Sequence, residues 1–211
     1  MRILKISLVG VALCLLAGMP ASASTIYSNG PINGAIDAFN ITTDSVANSF
    51  TVLSPSTVAS ATFGAWLFSG DTMVSVDWQI TNAPLGGTVL GSGTGNVANT
   101  PFLVPNSYNY DVYSEAFSIS PLALGVGTYW FQLQNATTTS LGIAFWDEND
   151  GPSAAVSSSL GDLSLLDSSY PGTGTHSESF QLDSAAVPEP GTIALLGCGI
   201  VFVGLLRRKP R

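Results

Sequence analysis

The residues able to do chemistry in this 211-residue chain are few, and their scarcity narrows the function before any element is placed. Between Ser24 and Leu206 there is no Lys or Arg, no cysteine outside the trailing apolar run, and one histidine, His176. A Ser-His-Asp nucleophile would have only His176 as its base, and that residue stands in a Gly/Thr/Ser loop where a solvated histidine is expected. Zinc needs several His or Cys ligands, and thiolate chemistry needs a cysteine, so neither is expected. What remains is acidic and aromatic. Asp147, Glu148, Asn149 and Asp150 follow one another and supply hard oxygens, a candidate Ca²⁺ ligand set in a domain without cations. Gly151 stands where an EF-hand loop would have its third side-chain ligand, and a solvated acidic turn is the plainer reading. Paired carboxylates can also hydrolyse a glycosidic bond, but adjacent Asp147 and Glu148, if extended, point to opposite faces.

Aromatic side chains offer a second chemistry, since sugar C–H faces stack on exposed rings. Trp130 alternates with Gln132 and Gln134 on the polar face of a candidate strand, the arrangement of a glycan platform. Trp66 and Trp146 lie in runs apolar on both faces, and Trp78 falls on an apolar face and reads as core. Tyr108, Tyr110 and Tyr113 occupy a polar stretch able to line the same surface. The candidate saccharide residues are therefore Trp130, Gln132, Trp146 and Tyr110.

The elements that must position these residues read as strands. Ser49–Leu53, Ala61–Phe68, Val74–Ile80, Glu115–Ile119, Thr128–Gln134, Leu141–Trp146 and Glu178–Asp183 alternate or are β-branched and aromatic. Val74, Val76, Trp78 and Ile80 share one face, and Phe180 and Leu182 point inward. The glycine-rich 91–95 and Pro121–Gly127 read as loops, and 147–152 as a marked turn. Many short strands without amphipathic helices predict an all-β, antiparallel β-sandwich over residues 24–186.

Both ends read as addresses. Residues 1–23 carry Arg2 and Lys5, an apolar run, and the small-x-small pair Ala21 and Ala23, a signal peptide with signal peptidase as partner. An uncleaved anchor is the alternative. Residues 187–211 divide into a proline-bracketed motif (187–192), a candidate transmembrane helix (193–206) and a basic end (207–211). The apolar run is shorter than the ~20 residues a bilayer normally needs. Arg207 and Arg208 would hold that end in the cytoplasm. All six basic residues are terminal, against fourteen acidic ones, which excludes nucleic acid as a partner.

VPEPGT, the apolar run and RRKPR closely resemble the PEP-CTERM sorting signal, also known as an ice-binding protein C-terminal domain. The resemblance implies that Pro188, Glu189 and Pro190 are recognised by an exosortase-type membrane protease, with the helix anchoring the chain until processing. A permanent single-span anchor is the alternative. The segments NGPINGAIDAF, FGAW, SVDWQI, GTYWFQLQNA and FWDENDGPS resemble exported bacterial proteins that carry the same tail. That likeness implies a jelly-roll-like sandwich resembling carbohydrate-binding modules. The expectation is an exported, non-catalytic cell-surface or extracellular-matrix protein without a required cofactor, binding exopolysaccharide. The alternatives are a secreted carbohydrate-active enzyme using acidic residues and a purely structural matrix protein.

Overall fold

The computed structural model describes residues 23–159 and 177–186. Twelve strands form among the described residues: β1 (Thr25–Ser28), β2 (Ala38–Asn40), β3 (Asp44–Val52), β4 (Ser56–Phe68), β5 (Met73–Thr81), β6 (Val89–Asn96), β7 (Ala98–Leu103), β8 (Tyr110–Leu124), β9 (Gly127–Thr138), β10 (Phe145–Asp147), β11 (Ala155–Ser159) and β12 (Phe180–Ser184). Ser24–Ala185 form one compact unit. Two antiparallel sheets face each other as a β-sandwich, the fold class that the alternation predicts. No helix among the described residues is long and apolar enough to cross a membrane. The predicted signal peptide and the predicted helix 193–206 lie outside the described residues.

The five-stranded sheet has the order β11-β3-β9-β5-β6. The other sheet is organised on β4. One edge of β4 pairs with β8 from Ser56↔Leu124 to Phe68↔Tyr110. Its other edge is shared: β12 takes Val58 to Phe63, and β10 takes Ala65 and Trp66. β7 extends the sheet beyond β8, β1 beyond β12, and β2 beyond β10. Period-two alternation along β4 sends Phe63, Ala65 and Leu67 into the core, while Thr62, Gly64 and Trp66 face outward. Aromatic rings bridge the two layers: Phe131 meets Trp146 at 5.8 Å, Phe180 at 5.5 Å and Phe117 at 6.5 Å between centroids.

Three local expectations change. The 91–95 stretch, read as a loop, is the interior of β6, in register with β5 at Gly93↔Trp78 and Gly95↔Val76. Its glycines lie under large side chains rather than in a turn. A Cβ on Gly95 would lie 2.5 Å from Phe117 Cδ2, and one on Gly91 would lie 2.8 Å from Leu122 Cδ2. β8 likewise runs on through Pro121 to Leu124, where the sequence predicts a loop. In β5, register shifts near Ser75 turn Val74 out to 48% exposure, while Val76, Trp78 and Ile80 keep the inward face.

Two carboxyls are sealed inside this unit. Glu115, opposite Phe63 on β8, and Glu178, just before β12, are fully buried, and all four oxygens are without a hydrogen-bond partner. Burial pushes each up to about 8. The protonated form is thus the one compatible with folding. Stability is then complete below the ordinary carboxyl value of about 4.5 and is lost as pH rises toward about 8.

Two outcomes follow for stability. Gly95→Ala should lose about 1–3 kcal/mol in denaturant unfolding, because Phe117 has nowhere to retreat. Thermal melts of Glu115→Gln should match the wild type near pH 4 and exceed it by about 3 °C or more at pH 8.

Candidate functional site

The strands β10 and β12 approach the same edge of β4 from opposite ends and meet at Gly64. A Cβ there would lie 2.6 Å from Ser179 Oγ and 2.7 Å from Asp147 Cβ, so only glycine fits between the two chains. Beyond Gly64 both chains turn off the sheet and run beside each other. Ser179 N donates to Asp147 O (2.8 Å), Asn149 N donates to Ser177 O (2.7 Å), and Glu148 bridges Glu178. The 147–152 segment is therefore buried at its start, not a solvated turn: Asp147, Glu148 and Asn149 are all buried, and Asp150 alone of the four is exposed.

Asp147 faces outward from the sheet but is covered by the 29–37 segment. Its Oδ1 accepts from Trp66 Nε1 (2.6 Å) and Gly34 N (2.8 Å), and its Oδ2 accepts from Asn33 N (3.0 Å). Burial raises this carboxyl's pKa, and the three donors partly offset that rise. Two successive backbone N–H groups on one carboxylate fix the loop at Asn33-Gly34, and Gly34 takes φ 65° to present them. Asn33 adds its own tie, Nδ2 to Glu148 O at 2.9 Å. Around this anchor, Asn29 Nδ2 donates to Ser177 Oγ (2.6 Å) and Ser153 Oγ (2.8 Å), and Asn149 Nδ2 donates to Asn29 O (2.7 Å). Asp147 and Asn149 thus spend their polar atoms on the protein. No group of three or more His, Cys, Asp or Glu side chains among the described residues is arranged to hold a metal ion.

Above Trp66 the outer face opens into a cleft of about 220 Å³, lined by Ile36, Asp37, Ala38, Trp66, Tyr108, Tyr110 and Phe145. Trp66 is its nearly covered floor, 4% exposed. Tyr108 stacks on it at 5.5 Å with planes 25° apart, and is itself 54% exposed. Tyr110 meets Trp66 at 5.9 Å and Phe145 edge-on at 5.6 Å. Buried Asn106 sets the two tyrosines: its Oδ1 accepts from Tyr108 N (2.9 Å) and Tyr110 N (3.0 Å). Its Nδ2 donates to Gly34 O (3.1 Å), which joins the tyrosine loop to the segment that Asp147 holds. Asp37 is exposed at the rim, with Oδ1 accepting from Ala38 N (2.8 Å).

The four residues nominated for saccharide contact do not come together. Tyr110 lines the cleft, whereas Trp146 is fully buried in the core, because the alternation of β10 turns it inward beside Ala65. Trp130 is half-buried and Gln132 buried on the far face of the five-stranded sheet, where Gln132 Nε2 donates to Gln134 Oε1 (2.9 Å). Ser45 Oγ donates to that same Gln134 oxygen, so the glutamine pair is already engaged. The residues that sequence reasoning undervalued are Trp66, Phe145, Asn106 and Asp37. The runs Ala61–Phe68 and Leu141–Trp146 read as apolar on both faces, and the pairing Trp66↔Phe145 shows that these two rings share the outer one. His176 and the sorting residues Ala21, Pro188, Glu189, Pro190, Arg207 and Arg208 lie outside the described residues. Ala23 is exposed, just before the compact unit.

If the Asp147 carboxylate holds the cleft together, Asp147→Asn should be costly despite its size. One oxygen becomes an N–H₂ that cannot accept the loop amides, and denaturant unfolding should show a loss of about 1–3 kcal/mol.

No curated protein matches the chain. Residues 186–209 match the family model of the PEP-CTERM protein-sorting motif. The chain therefore ends in a PEP-CTERM signal, the mark of an exported protein that is sorted by the membrane protease exosortase.

Proposed function

We propose that this exported protein acts at the cell surface or in the extracellular matrix as a non-catalytic binder of exopolysaccharide, and that the outer-face cleft is its saccharide site. The observation that carries this reading is the aromatic wall of the cleft. Tyr108 is stacked over Trp66, with Tyr110 and Phe145 beside it, which offers rigid rings to the apolar face of a sugar. A polar rim from Asp37 and a volume near 220 Å³ suit one ring of a longer chain rather than a fully enclosed small molecule. Among the described residues Asp37 is the carboxylate lining the cleft, while glycosidic hydrolysis by acid and base needs two. This supports binding without turnover. Export and delivery by the tail would place such a site where extracellular polymer is met.

The test is a glycan array followed by titration calorimetry on the exported protein, with a reducing-sugar assay in parallel. Binding should occur without sugar release. Tyr108→Ala should weaken it about tenfold or more with an unchanged melting temperature. Trp130→Ala, on the opposite face, should leave affinity unaltered. Sugar release would favour the carbohydrate-active enzyme, and silence in both assays would favour a purely structural matrix protein.

A further inference from the structure

The charge of the domain says which saccharides the cleft can accept. From Ser24 to Ala186 the sequence has no Lys or Arg, and it carries every acidic residue of the chain except Glu189. A glycan bearing carboxylate, sulfate or phosphate groups would find no lysine or arginine to pair with and would approach a surface of its own sign. Neutral sugars meet no such penalty. A sugar carrying a cation gains twice. The cleft sets one exposed carboxylate, Asp37, in the same lining as the rings of Tyr108 and Tyr110, with Trp66 as its nearly covered floor and Ile36 and Phe145 completing an apolar wall. A ring face attracts a cation through its quadrupole, and a carboxylate attracts it through charge; both line one small cleft.

We infer that the cleft selects amino sugars with a free, protonated amine, such as de-N-acetylated hexosamine units within a polysaccharide. This rests on the reading of the cleft as a saccharide site. In the bound state the C–H face of the ring packs on Tyr108 or Tyr110, and the ammonium group reaches Asp37. An N-acetyl group at the same position removes the charge that Asp37 and the rings attract, so acetylation lowers affinity. Asp37 is positioned for this by its own segment: Glu148 N donates to Asp37 O at 2.9 Å, which ties its backbone to the Asp147 anchor.

The experiment measures binding of three matched probes to the exported protein by calorimetry. They are a β-linked N-acetylhexosamine oligomer, the same oligomer after de-N-acetylation, and a uronic-acid oligomer of equal length. The de-N-acetylated oligomer should bind about tenfold tighter than the acetylated one. That advantage should disappear in Asp37→Asn and shrink at ~0.5 M salt. Asp44→Asn, on β3 and not among the residues lining the cleft, should retain it, separating a specific contact from general attraction to an acidic protein. Equal affinity for the acetylated and free-amine oligomers would overturn the inference and leave the saccharide site standing. Equal losses in Asp37→Asn and Asp44→Asn would overturn it in favour of diffuse charge. Tighter binding of the uronic-acid oligomer would also overturn it. Binding by none of the probes, nor by any member of the glycan array, would remove the saccharide reading and the inference together.

Discussion

The structure depends on one buried carboxylate. Asp147 sits where β10 and β12 meet at Gly64, beneath a loop and above a sheet, and accepts hydrogen bonds from Asn33 N, Gly34 N and Trp66 Nε1. Each donor belongs to a part of the chain remote from it in sequence. Charge-assisted bonds of this kind contribute about 1.5–3 kcal/mol each and offset part of the cost of taking a carboxylate out of water. Remove that acceptor and the amides of Asn33 and Gly34 lose their partner, the Trp66 ring loses its tether, and the Gly34 carbonyl that Asn106 bonds is held less firmly. The aromatic cleft is what those three connections hold in shape.

A domain without lysine or arginine cannot neutralise its buried acids by pairing them with those cations, and the described residues show two other solutions. Asp147 and Asp71 are dressed in donors: Asp71 accepts from Thr139 Oγ1 (2.6 Å), Ser140 N (3.0 Å) and Ser140 Oγ (2.5 Å). The carboxyl oxygens of Glu115 and Glu178 lack a well-formed hydrogen bond, and burial pushes both pKa values up to about 8. The first solution builds a precise site; the second leaves stability sensitive to alkaline conditions. Asp37 follows neither course, since it stays exposed at the rim of the cleft. Among the residues lining the cleft it is the acid left available to a ligand.

Much of the sandwich was legible in the sequence because period-two alternation reports directly on burial. Phe131, Leu133, Phe180 and Leu182 all point inward as their spacing requires. The glycine-rich β6 was not legible, because its glycines answer to Phe117 and Leu122 in the other sheet, and a distant packing partner leaves no local signal. The acidic 147–150 run misled for the same reason. Hydrophilic letters predict a solvated turn, yet the donors that make Asp147 buriable come from Asn33, Gly34 and Trp66, more than 80 residues away. The cleft is half visible in the sequence: Tyr110 stands among the candidate saccharide residues, while Trp66 and Phe145 need the β4–β10 register to be placed on one face. Trp130 carried the clearest alternation with polar neighbours, but its glutamines bond to one another and to Ser45.

The most direct test of the cleft is nuclear magnetic resonance on the exported protein, following aromatic and indole N–H signals during titration with a de-N-acetylated hexosamine oligomer. The account predicts that the Trp66 indole and the Tyr108, Tyr110 and Phe145 rings shift with saturation, while Trp130 does not move. Shifts confined to Trp130 and its face of the five-stranded sheet would contradict it.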